Sequence, residues 1–105
     1  MKDLRKLKQR KLSKVSVEVD SEVMDFYLRS LTAKEWMEIT ASSFVDDQIQ
    51  PEAMSRYVAY SLVDEQGNPI MDNEEGVVEV SEWPYSLVKE LFNEVQKLNG
   101  FFVQQ

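Results

Sequence analysis

Residues 56–70 read Arg56-Tyr57-Val58-Ala59-Tyr60-Ser61-Leu62-Val63-Asp64-Glu65-Gln66-Gly67-Asn68-Pro69-Ile70. An apolar run meets a polar stop here, and the nature of that run decides the fold class. Counted from Met54, the residues Tyr57, Val58, Ser61 and Leu62 fall at the three- and four-residue spacing of one helix face. The same run is rich in β formers and also reads as a strand over 57–63. Pro51 favours the helix, because a proline fits the first helical position and Glu52 and Ala53 continue it. The reading is a helix over 51–63, ended by Gly67 and Pro69.

Downstream, residues 72–76 form an acidic connector, and Val77, Val78 and Val80 a short extended or helical lead-in. Ser81 is the expected N-cap of a second helix, with Glu82 and Pro84 in its first turn. Leu87, Val88, Leu91, Phe92, Val95 and Leu98 then make one apolar stripe. Asn99-Gly100 supplies a C-cap signal, so this helix is expected over 81–99. Phe101, Phe102 and Val103 follow the stop; such a tail either folds back on the core or meets a partner.

Upstream, Thr32 and Glu35 have the spacing of a capping box, with Leu31 and Trp36 placed as its hydrophobic staple. A helix is expected over 32–44, with Trp36 as a core anchor. Before it, Val15, Val17 and Val19 alternate with Ser16 and Glu18, Asp20-Ser21 offers turn chemistry, and Met24, Phe26 and Leu28 share a face. These residues predict a β-hairpin over 14–29. A lone hairpin is marginal in water and must lie on something else. The expected class is mainly α (α+β): a small helical domain over 14–105 with a short N-terminal hairpin, preceded by a basic arm over 1–13.

Charge is divided along the chain. The first 14 residues hold seven basic groups against Asp3, a net of +6. Residues 15–105 hold 5 basic and 18 acidic groups, a net of −13, which together give the formal −7. An acidic body favours solubility and disfavours nucleic acid as its partner. The arm reads first as a solvated terminus and next as a contact with a neighbouring subunit or partner. There is no cysteine and no histidine, so thiolate chemistry, disulfides and the commonest general base are excluded. Gly67, Gly76 and Gly100 are too scattered for a phosphate loop. The spacing of Asp64, Glu65 and Asn68 does not match a calcium loop. No catalytic, cofactor or metal residue is therefore expected. The apolar runs are far shorter than the ~20 residues a bilayer requires. The charged N-terminus lacks the apolar region of a secretory signal, so a cytoplasmic location is expected.

The segment 56–70 also resembles the corresponding segment of tail assembly chaperones from lambda-like long-tailed bacteriophages. The likeness continues through the acidic connector, the Trp83-Pro84 step and the closing Leu98-Asn99-Gly100, and upstream through the valine run and Leu31-Thr32-Ala33-Lys34-Glu35. It spans about residues 15–100. Trp83 stands where the family commonly has Leu, and the basic arm is a further departure. The resemblance implies a non-enzymatic chaperone. It would bind the tape measure protein, keep that long helical chain soluble, help recruit the tail tube protein and self-associate. It also implies action in the host cytoplasm and absence from the finished virion. Exposed apolar groups would line the partner groove, and Phe44, Tyr60, Phe101 and Phe102 are the candidates. The competing reading is a small acidic regulatory or interaction module whose basic arm contacts a partner or nucleic acid. Binding that weakens steeply with salt would mark it.

Overall fold

The computed structural model describes residues 6–7, 9–46, 48–49 and 52–100, without the side chains of Val45 and Ile49. Strands β1 (Leu12–Val19) and β2 (Glu22–Arg29) form an antiparallel hairpin. The turn between them puts Asp20 at φ 51° and Ser21 at φ 68°. Two successive left-handed residues give the turn a twist that matches its strands. Val15, Val17 and Val19 face the core as their alternation requires, with Val17 buried, and Leu28 is fully buried from β2.

Helix α1 (Ala33–Ser43) starts on the predicted capping box. The Glu35 backbone N–H donates to Thr32 Oγ1 at 3.1 Å, and the Thr32 N–H donates to Glu35 Oε1 at 2.8 Å. Trp36 is half-buried on the core. The expected helix over 32–44 gives way at Phe44, and two short strands follow, β3 (Phe44–Val45) and β4 (Gln48–Ile49), which pair with each other.

Helix α2 covers Ala53–Ser61 and gives way to strand β5 (Leu62–Val63). The expected helix over 51–63 therefore begins at Ala53 and stops two residues early, and Pro51 lies outside the described residues. Tyr27 and Leu28 of β2 offer an open edge, and Leu62 and Val63 pair with it to complete a three-stranded sheet ordered β1-β2-β5. Both helix and strand readings of the run hold, one for each end. Asp64 then organises the loop: its Oδ1 accepts from the Gln66 and Asn68 N–H groups, each at 2.9 Å.

The largest departure lies at 72–84. The expected connector and lead-in are helix α3 (Asn73–Ser81), and the expected single helix over 81–99 begins only at Tyr85 as α4 (Tyr85–Leu98). Asp72 caps α3 by accepting from the Glu74 N–H at 3.0 Å, and Glu74 and Glu75 suit the positive end of its dipole. Ser81 is no N-cap. It closes α3, and its Oγ donates to the Val78 carbonyl at 2.7 Å. The valines tolerate helix because Val77 and Val80 are buried against the other helices. Gly76 has a packing reason: a Cβ built on it would lie 3.2 Å from Ala59 Cβ, so α2 and α3 touch almost backbone to backbone.

Helix α4 turns its apolar stripe into the core. Leu87, Val88, Leu91 and Val95 are buried, while Phe92 and Leu98 pack half-buried on the same cluster. Tyr57 of α2 joins three helices: its ring lies 4.6 Å from Trp36 and 5.7 Å from Phe92, and its hydroxyl is 2.9 Å from Thr40 Oγ1. Gly100, at φ 91°, donates its N–H to Lys97 O at the expected stop. Asn99 Oδ1 accepts from the Leu31 N–H at 2.8 Å, tying the end of α4 to the approach to α1. The fold class is α+β, with four helices beside a three-stranded antiparallel sheet among the described residues.

Candidate functional site

A groove of about 460 Å³ opens where the start of α2, the end of α3 and the start of α4 converge. Met54, Val80, Trp83, Tyr85 and Val88 form its apolar lining, and Glu52 stands beside them. Its shape follows from local chemistry. Pro84 cannot donate a backbone hydrogen bond and sits extended at φ −56°, ψ 139°, so it separates α3 from α4. Trp83 and Tyr85 flank that break. Trp83 is fixed on two sides: its ring centroid lies 5.8 Å from that of Phe26, and its Nε1–H donates to Glu79 Oε1 at 3.2 Å. Tyr85 is 68% exposed, a large aromatic surface left open to solvent.

The groove suits an apolar side chain or one face of a helix. Among the described residues no group of three or more His, Cys, Asp or Glu is placed to hold a metal ion. No helix among them is long and apolar enough to cross a membrane.

The partner candidates read from the sequence are not gathered here. Phe44 is half-exposed at the C-cap of α1, and Tyr60 is half-buried on α2, packed against the core. Neither lines the groove. Phe101 and Phe102 lie outside the described residues. Trp83 and Tyr85, which line the groove, are not among the candidates read from the sequence. The signal for them is two aromatics bracketing a proline between two helices, but a reading that runs one helix through 81–99 hides it.

Comparison with protein-family models, curated proteins and solved structures finds no match.

The described end of the arm is engaged within the chain. Arg10 and Arg29 both pair with Glu35, at 3.0 and 3.7 Å, and Lys14 pairs with Asp25 at 3.5 Å. Burial pushes the Glu35 carboxyl up. Its hydrogen bonds with Thr32 and the charges of Arg10 and Arg29 outweigh that and hold it below the usual carboxylate range. Burial also lowers Arg29, helped by the like charge of Arg10, and Arg29 Nε is buried without a hydrogen-bond partner. Asp25 is held low by the Ser16 hydroxyl, which donates to it at 2.7 Å, and by Lys14.

Proposed function

We propose that this chain is a phage tail assembly chaperone: a non-enzymatic protein that binds the tape measure protein, keeps it soluble and helps tail tube assembly. The observation that carries the reading is the open groove of α2, α3 and α4 with its exposed Tyr85, set on a body of net charge −13. A helix laid in an apolar groove is a common mode of recognition. An acidic exterior keeps such a complex in solution by repulsion between copies. The resemblance of residues 56–70 names the helical chain that fills the groove. On this reading several copies coat the tape measure protein, hand it to the tail tube protein and leave before the virion is complete. Pairing of Arg10 with Glu35 inside the chain weighs against the nucleic-acid alternative, because it engages a cation of the arm.

Co-expression with the tape measure protein that this reading expects to be encoded beside the chain tests the proposal. The partner is expected in the soluble fraction only when the chain is present. The Tyr85→Glu variant, altered at an exposed position, is expected to stay folded and to rescue less of the partner. Equal insolubility of the partner with and without the chain overturns the chaperone reading. Equal rescue by the variant overturns the groove as the binding site.

A further inference from the structure

The sheet order β1-β2-β5 leaves the outer edge of β1 without a strand partner among the described residues. This edge is eight residues long, contains no proline and pairs in unbroken register with β2 on its other side. A long edge without proline or a bulge is a template for pairing with another chain.

The register says which groups the edge presents. Val19 and Glu22 close the two-residue turn, and at the far end the Ser30 N–H donates to Lys11 O at 2.8 Å. Antiparallel pairs alternate between exchanging hydrogen bonds and not doing so. Lys11, Ser13, Val15, Val17 and Val19 therefore bond inward to β2, and the backbone N–H and C=O groups of Lys14, Ser16 and Glu18 point to the open side. Their side chains all lie on the exposed face, and the three valines lie on the core face.

We propose that the occupant of this edge is β1 of a second copy of this chain, antiparallel, with the two-fold axis at Ser16. In that register Ser16 meets Ser16 as a hydrogen-bonding pair, which is the pairing the outward groups require. Lys14 of each copy then stands directly opposite Glu18 of the other. Two opposite-charge cross-strand pairs form on the exposed face, both allowed by symmetry. Glu18 makes no ion pair within its own chain among the described residues, and Lys14 has only Asp25 at 3.5 Å. On the core face Val15 meets Val17 of the second copy, which extends the apolar layer across the joint. The product is one six-stranded sheet ordered β5-β2-β1-β1-β2-β5. This interface lies apart from the groove and does not depend on the chaperone reading.

Sedimentation equilibrium over a dilution series, with amide hydrogen exchange on the same samples, tests the proposal. The full chain is expected to dimerise, and the Lys14, Ser16 and Glu18 amides are expected to slow in exchange as the dimer fills. Glu18→Lys places Lys opposite Lys twice and is expected to weaken dimerisation about tenfold. The double variant Lys14→Glu with Glu18→Lys restores opposite charges in this register alone and is expected to recover the dimer. Circular dichroism melting confirms that each variant is folded, and the exchange pattern of the unmodified chain stands even if one is not. A monomer at every concentration overturns the proposal. So does a dimer in which those three amides exchange freely. Protection of the same amides in a monomer also overturns it, because the edge is then covered by the chain's own residues.

Discussion

Glu35 holds two structures at once, and removing it separates their contributions. Its carboxylate accepts from the Thr32 N–H, the reciprocal half of the capping box, and it neutralises Arg10 and Arg29. The side chains of Arg29 and Glu35 are 15% and 18% exposed and that of Arg10 is 31% exposed, so the cluster is shielded but not dry. In Glu35→Ala the Thr32 hydroxyl still caps α1, so the lost half-box contributes only about 0.5–1 kcal/mol. Stranding a fully buried cation costs about 3–5 kcal/mol, and the residual exposure brings that to about 1–2 kcal/mol here. The expected loss is about 1.5–3 kcal/mol, set against a total stability of roughly 5–15 kcal/mol for a domain of this size. Glu35→Gln retains an acceptor for the Thr32 N–H and loses only the charge, so it is expected to cost about 1–2 kcal/mol. Urea unfolding followed by Trp fluorescence measures both. If Glu35→Ala falls within about 0.5 kcal/mol of the parent chain, or if the Gln variant is the worse of the two, the shared-carboxylate account is wrong.

The same carboxylate predicts a pH dependence. Its folded pKa lies below the unfolded value of about 4.3. Its contribution is therefore complete above that pH and is lost as pH falls toward the folded value; acid unfolding of Glu35→Gln is expected to lack that component. Gly76→Leu is expected to lower stability by about 1–3 kcal/mol by forcing α3 off Ala59, with a matching fall in Tm. Replacing Asp20-Ser21 by Asn-Gly puts at both positive-φ positions the residues that tolerate the left-handed region best and is expected to raise Tm, by about 0.5–1 kcal/mol in stability. A fall in Tm would mean that the turn conformation is not as described.

Much of the fold is legible in residues that act locally. The valine alternation and Asp20-Ser21 specify the hairpin, and Thr32 with Glu35 specifies the start of α1, because each signal is satisfied within a few residues. Leu62-Val63 is different. These residues continue the helical stripe of α2, and only the open edge of Tyr27–Leu28, far away in sequence, turns them into a strand. Helix α3 is hidden for a related reason. Valines lower helix propensity, and Val77 and Val80 become helical through burial against other helices. The groove is hidden with it, because Trp83 and Tyr85 form a site only once α3 and α4 are separate. Phe44 and Tyr60 drew attention as apolar side chains, but apolar character alone does not say which surface a residue occupies.

The hairpin and α4 stand at opposite ends of the chain, yet α4 lies against β1, and the Ser13 hydroxyl donates to Glu94 Oε1 at 2.8 Å. A chain leaves the ribosome from its N-terminus. The core-facing valines of β1 thus emerge before the helix that covers them is made. Until synthesis reaches residue 98 the nascent hairpin has an apolar face and an open edge together, the condition in which newly made chains stick to one another. The interval between making the hairpin and making its cover is the period in which this small protein most needs a chaperone of its own.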